Sequence, residues 1–557
     1  MAAGGTRLSG CMTGTFRRKI LSGPLLAVLA LSCLVFLFAH RQALLNPYVI
    51  NDDVRQQLYW MASWDDPGLF PPNLLNEYSR LYVPEGVKAI YRALSPVMDP
   101  VQASKAVTGV LFVILCLAMY GVGSVLGGRR LGVFCAGAVW LMPFFLYNIS
   151  GGLSRAFAAP LLALFLLAWL KRFPSGMALS LLFQAVCIPY ICILCCLSCA
   201  LAFAAARVRR DPPPPFPRKA AHFAVLAACA LAVWAMRQRM NASGFGPLAG
   251  FQNIVERPEF GPLGRLDLFP LPNPFLDLVY WPFERIGLFL ESGLPLGIAS
   301  LAVLAVLVVI GARRFPWKSL APHLTPFAAL AASSLILYAA ARMLALKLFV
   351  PDRYVSYSFN IFYALALAIC LYAVFSPLCS RRGAGAVLVV LAAGLGAWRL
   401  TGAGLYDYSA WAPVYQAVRE LPKDALVGGH PEDMDNVMTF GQRDALATFE
   451  LAHPWSLGYW TRLEPRLRDQ LMAYYATDPK TVRDFAARYG VDAMVVDEAR
   501  YAPAFIEKGA FFAPYADMIR NLAGRGKTFA LLDGGNFPYR VLAPGVRLVD
   551  LRRKTDG

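Results

Sequence analysis

The chain has 557 residues, of which 57% are hydrophobic and 16% charged, and its mean hydropathy is +0.49. A water-soluble core cannot hide that much apolar surface, so an ordinary soluble globular fold is excluded and lipid must solvate much of the chain. The formal charge of +18 lies in short Lys and Arg clusters between apolar segments, on no single basic face and in no nucleic-acid module, which sets nucleic-acid binding aside.

Apolar runs of about 17 to 25 residues mark membrane spans. The first is 20–40, preceded by Arg17, Arg18 and Lys19. No small-residue cleavage site follows it, so it reads as an uncleaved anchor. The second, 106–126, ends at Arg129 and Arg130; the third, 131–147, returns outward; the fourth, 156–170, comes back to Lys171 and Arg172. Pro189 divides the long stretch 176–206. Its two flanks are both basic, so two short spans are expected there. The remaining spans are 220–236, 293–311, 323–340, 359–375 and 384–398.

Basic clusters at Arg313, Arg314 and Lys318, and at Arg381 and Arg382, fall on one side with the earlier ones. The reading is a polytopic α-helical bundle of about eleven spans over residues 1–400. Its N-terminus is expected in the cytoplasm and the segment 401–557 outside. Besides that tail, two exterior loops have substance, 41–105 and 237–292. The tail alternates helix-like stretches (412–420, 464–475, 480–489) with strand candidates (425–427, 493–496, 529–532, 546–551), as a small α/β domain does.

All twelve cysteines precede Ser380, so the first exterior loop and the tail hold no disulfide framework. Cys192, Cys195, Cys196 and Cys199 have a metal-like spacing, but they lie among Ile, Leu and Ala in an expected span, where cysteine packs as a small hydrophobe. The five histidines are scattered and form no zinc set.

The segment after the first span carries the most chemistry: Asn51, Asp52 and Asp53, then a helical apolar pattern over 54–64. Leu58 and Met61 are expected on the bilayer interface. Asp53 with Gln56 three residues on reads as a helix cap with its reciprocal partner. A cap explains one acid and leaves Asp52 to point elsewhere. A second cluster precedes the 359–375 span, where Lys347, Arg353 and Tyr354 stand in Lys-Leu-Phe-Val-Pro-Asp-Arg-Tyr; Arg155 begins the fourth span. These exterior cations are not required by the positive-inside rule. Guanidinium groups there suit a lipid phosphate, or serve equally as headgroup anchors.

An acidic pair just after the first span, an interfacial helix, about eleven spans and an exterior α/β tail together resemble the GT-C superfamily of membrane glycosyltransferases. That superfamily includes protein O-mannosyltransferases, the lipid A aminoarabinose transferase and oligosaccharyltransferase catalytic subunits. The specific motifs behind the resemblance are Asn-Asp-Asp at 51–53 and, more loosely, Pro-Asp-Arg-Tyr at 351–354. The resemblance implies an active-centre acid at Asp52, with Asp53 second. The chain departs from the oligosaccharyltransferases in lacking a Trp-Trp-Asp-type motif in its tail.

Such an enzyme takes a sugar from a polyprenyl phosphate and gives it to a lipid, glycan or protein acceptor. A carboxylate accepts the acceptor's proton, and cations hold the departing phosphate. Asp52 is the expected base; Arg353, Arg155, Lys347 and Tyr354 are the expected phosphate-side residues. No cofactor is required, although two adjacent acids can ligate one divalent cation. Richness in Ala, Leu and Arg points to a GC-rich bacterium, hence to the cytoplasmic membrane with the tail in the periplasm. A transporter or flippase for a lipid-linked glycan, and a non-catalytic envelope assembly protein, remain the alternatives.

Overall fold

Proline and glycine set the breaks between the apolar helices in the computed structural model, which describes residues 23–210, 213–280, 294–348, 350–381, 383–524 and 528–552. The expected spans form helices, in Gly23–Ala39, Pro100–Leu141, Ala158–Leu170, Pro174–Cys187, Pro189–Arg209, Ala220–Ala242, Leu294–Arg314, Leu324–Leu344, Asp352–Phe375 and Ala384–Arg399, except that 131–147 is broken at Met142, which is extended ahead of the separate helix Pro143–Ile149. Arg17, Arg18 and Lys19, the first residues of the expected anchor, residues 281–293 and Arg382 lie outside the described residues.

Pro100–Leu141 covers two expected spans, because Gly127 and Gly128 leave helical geometry between them. Gly128 takes φ +82°, a conformation that a side chain would strain. The two arms then pack closely. A Cβ on Gly132 would come 2.6 Å from the Tyr120 carbonyl oxygen, so small residues are what allow the contact. Ile188 is extended ahead of Pro189, which opens the next helix, so 176–206 is two helices as expected. Among the described residues, five helices are long and apolar enough to cross a membrane, and four shorter ones are apolar as well. The chain is a membrane protein, with Pro100–Leu141 touching Gly23–Ala39, Ala158–Leu170 and Asp352–Phe375 at the centre of the bundle.

The loop after the first apolar helix is folded. It forms the helices Val54–Gln57, Leu74–Tyr82 and Glu85–Leu94, with a 3-10 turn over Tyr59–Trp64. The interfacial placement expected for 54–64 is not what forms. Leu58 and Met61 are 1% and 0% exposed, because the tail helix Pro431–Gly441 packs on Val54–Gln57 and Leu74–Tyr82 flanks it. An amphipathic pattern specifies burial of one face, and here protein supplies the cover instead of lipid.

Two short strands tie loop to tail: β1 (Val49–Ile50) pairs antiparallel with β2 (Tyr406–Asp407). The tail's own sheet has the order β4-β3-β5-β7-β6. Its strands are β3 (Leu426–Gly429), β4 (Asp444–Ala445), β5 (Ala493–Asp497), β6 (Tyr539–Ala543) and β7 (Val546–Asp550). β3 runs parallel to β4 and β5, whereas β5, β7 and β6 alternate in direction. The expected helices form at Ala412–Arg419, Leu457–Tyr474 and Pro479–Tyr489. The expected strand at 529–532 is a turn instead; β6, paired with β7, and the short β4 are the strands of this sheet that the sequence pattern concealed. One buried apolar cluster runs through the bundle, the first loop and the tail, so the tail is packed into the whole.

Candidate active site

The site begins at Asn51, which leaves β1 with its side chain buried. Its Nδ2 donates to the Gly404 carbonyl at 2.8 Å, which fixes the amide. Its Oδ1 then accepts from the Asp53 backbone N–H at 3.2 Å and from Arg155 Nη2 at 3.1 Å. Asn51 therefore makes the turn that was expected of Asp53. Asp53 has helical dihedrals and no capping hydrogen bond. Its carboxylate is used differently: Oδ1 accepts from Gln56 Nε2 at 2.8 Å, and Oδ2 pairs with Arg155 Nη1 at 2.7 Å. Two left-handed glycines, Gly151 and Gly152, turn the chain into Ser154–Phe157, which presents Arg155.

Asp52 is less committed than its neighbour. Its Oδ1 lies 3.8 Å from Arg155 Nη2, and its side chain is 33% exposed. Burial, and then the adjacent Asp53 charge, push its carboxyl above the ordinary value of 3.8 against the pull of Arg155. Burial disfavours the Arg155 charge, but Asp53, Tyr357 and Asp52 outweigh burial and the repulsion of Arg353, so it titrates above the usual guanidinium value. Arg155 Nε is buried and without a hydrogen-bond partner.

Arg353 belongs to the same neighbourhood, since its charge acts on Arg155. Its Nη1 donates to Tyr357 OH at 3.1 Å, that hydroxyl reaches Asn148 Oδ1 at 3.3 Å, and Arg353 Nε is a second buried donor without a partner. Tyr82 collects these influences. Its phenol is pushed up to about 12 by burial and by Asp53, against the fields of Arg353, Arg265 and Arg155. The remaining two expected residues are placed differently. Tyr354 is buried and donates its hydroxyl to the Leu348 carbonyl. Lys347 is exposed, its side chain passing over Gly250 in the middle loop.

The tail and the middle loop supply what the sequence reading missed. Glu450 accepts from Arg55 Nη2 at 3.1 Å and pairs with Arg265 Nη2 at 3.2 Å. Asp435 accepts the Glu450 backbone N–H at 3.1 Å. Burial raises both carboxyls. Arg55 lies over the Tyr408 ring and also donates to the Asp52 carbonyl at 3.2 Å, which joins this second group to the acid pair. Beside it opens a cavity of about 300 Å³, lined by Tyr408, Asp435, Phe449, Glu450, Asp433 and Arg500 among others. His453 Nε2 meets Gln56 Oε1 at 3.0 Å. The available signal was the Phe449-Glu-Leu-Ala-His453 run, two polar functional residues in an otherwise apolar stretch.

The acids of the site are already answered by arginines, which leaves a divalent cation little place. Arg155 reaches toward both Asp52 and Asp53, where a cation bridging the two acids would sit. Glu450 is held by two arginines. Among the described residues no three His, Cys, Asp or Glu side chains converge to hold a metal ion, and no chemical step is routed through one. The cysteine run is likewise packing: Cys192 Sγ and Cys196 Sγ stand 4.0 Å apart inside the bundle.

No family model and no curated protein matches the chain. Among solved structures it is similar to ArnT from Cupriavidus metallidurans bound to undecaprenyl phosphate, at 14% identity and TM-score 0.48, over 96% of this chain and 99% of that one. It is also similar to the Archaeoglobus fulgidus oligosaccharyltransferase in the apo form, at 14% identity and TM-score 0.48, over 91% of this chain and 73% of that one. A third similarity is to the oligosaccharyltransferase AglB of Archaeoglobus fulgidus in complex with an inhibitory peptide and a dolichol-phosphate. It has 13% identity and a TM-score of 0.44, over 89% of this chain and 72% of that one. At these values the likenesses decide nothing about the chemistry, which rests on the side chains.

Proposed function

We propose that the protein is a membrane glycosyltransferase that moves a sugar from a polyprenyl phosphate to an acceptor hydroxyl at the outer face of a bacterial cytoplasmic membrane. The observation that supports it is one arrangement: a partly exposed carboxylate, Asp52, beside the guanidinium of Arg155, with a buried N–H of Arg155 and another of Arg353 left without partners. Buried cationic donors of this kind suit an anion.

In the proposed reaction Asp52 accepts the proton of the acceptor hydroxyl as its oxygen attacks the anomeric carbon. The bond from that carbon to the phosphate oxygen breaks, and the electron pair leaves with the polyprenyl phosphate. Arg155 and Arg353 hold the charge that develops there. Asp53 does not take the proton in this reading. It holds Arg155, and its negative charge keeps Asp52 basic. The cavity beside Arg55 gives the acceptor group room on the tail side. Tyr354 ties the start of the Asp352–Phe375 helix back to the Leu348 carbonyl, and Lys347 lies over Gly250 of the middle loop.

Asp52→Asn in purified protein, given labelled polyprenyl-phosphate sugars, tests this. Transfer should fall by about 10²- to 10⁴-fold while the fold stays intact. Undiminished transfer by that variant overturns Asp52 as base. Absence of transfer by the unmutated protein across such donors overturns the enzyme class.

A further inference from the structure

A chain of hydrogen bonds runs from Asp53 into the tail, and its direction can be derived. A carboxylate only accepts, so the Gln56 group at 2.8 Å from Asp53 Oδ1 is the amide nitrogen. The same nitrogen is 3.5 Å from Glu450 Oε2, which directs its second hydrogen to that acid. Gln56 therefore presents its oxygen to His453 Nε2 at 3.0 Å, and His453 must carry its proton there. His453 Nδ1 is then the acceptor for Tyr78 OH at 3.0 Å, and that hydroxyl in turn accepts from Ser456 Oγ at 3.0 Å.

From Gln56 onward the members are buried: Gln56 is 6% exposed, His453 1%, Tyr78 0% and Ser456 1%. His453 is further clamped between Trp455, stacked at 4.1 Å, and Tyr82, at 5.1 Å. Burial, with Arg265 nearby, holds the imidazole well below its usual range and so neutral.

We propose that His453 is a positioning residue for the acid pair: its Nε2–H orients Gln56, Gln56 orients Asp53, and Asp53 holds Arg155. The tail thereby takes part in the reaction through a single ring nitrogen. This rests on the glycosyltransferase reading only for its consequence; the hydrogen-bond order stands without it.

The test has two arms. In the first, the full protein in lipid is labelled with ¹⁵N-histidine, of which there are five, and the His453 signal is identified by its loss in His453→Gln. The unmutated protein should show His453 with Nε2 protonated and Nδ1 bare. In the double variant Asp53→Asn with Glu450→Gln no carboxylate dictates the Gln56 orientation, and the Nδ1–H form should appear. An Nδ1–H tautomer in the unmutated protein, or a tautomer that ignores the double variant, overturns the proposal.

The second arm measures binding of undecaprenyl phosphate. A Gln amide nitrogen overlays Nε2 of histidine, whereas an Asn nitrogen overlays Nδ1. His453→Gln should stay near the unmutated affinity, and His453→Asn should bind about tenfold more weakly, the loss expected for one hydrogen bond in a charged network. Equal loss in both variants overturns the positioning role. If the unmutated protein binds no undecaprenyl phosphate, the donor reading falls, and the tautomer arm still decides this inference.

Discussion

Arg265 Nη2 lies 3.2 Å from Glu450 Oε2, and its guanidinium sits 4.1 Å over the Phe449 ring, so one side chain of the middle loop is pinned to the tail by charge and by an aromatic face. The pair is only 15% and 11% exposed, and so weakly screened. Arg265→Met should lower unfolding stability by about 2 kcal/mol, below the full cost of stranding a buried charge because Arg55 still pairs Glu450. Denaturant unfolding in detergent measures this. Proteolysis of the 237–280 loop should accelerate in the same variant, since its anchor is gone.

Arg155→Lys tests the forked contact. A lysine can answer one acid but cannot face Asp53, Asn51 and a phosphate together. Transfer efficiency (kcat/KM for the lipid donor) should fall by about 10- to 100-fold, the loss of one or two charge-assisted bonds. A steady-state titration of donor separates this from a folding defect.

The acid limb of the rate profile reports Asp52. A base works only when deprotonated, so kcat/KM should fall as pH drops through the Asp52 pKa, which burial and Asp53 raise above 3.8. Asp53→Asn removes the repelling charge and frees Arg155 to act on Asp52. Both effects favour the carboxylate, so the limb should move to lower pH. A pH series of kcat/KM for both forms checks the sign.

Gly404→Ala should damage the site through the backbone that holds Asn51. Gly404 has φ +69°, and a Cβ there would come 2.7 Å from the Tyr147 carbonyl oxygen. The same residue's carbonyl holds Asn51. About 1–3 kcal/mol of strain is expected, with weaker donor binding because Asn51 loses its anchor. Unfolding and lipid-binding measurements on the one variant test both.

The bundle was legible because apolar length is a coarse signal. Pro189 announced its break through backbone chemistry that needs no tertiary context, and Arg129 with Arg130 marked the end of the second span, although the break itself is made by Gly127 and Gly128. Asp52, Asp53 and Arg155 also stood out by position, although 104 residues separate Arg155 from Asn51. What stayed hidden depends on pairing over greater distance. Nothing local to Glu450 or His453 says that they meet residues 55 and 56, and nothing in Asp53-Val-Arg-Gln distinguishes a cap from a clamp on a remote arginine. Leu58 and Met61 show the same limit, since a sequence shows an apolar face but not what covers it.

The two-residue ribbon of β1 and β2, with the Asn51–Gly404 bond 353 residues apart in the chain, has a bearing on biogenesis. Asp52 emerges early in synthesis, directly after the first helix, but its surroundings wait for Gly404 and then for Glu450 and His453. Until those residues are made the acid pair is an unfinished turn. In the proposed reading, competence therefore arrives late and at once, when the tail zips onto β1, and a partly made chain carries no finished site.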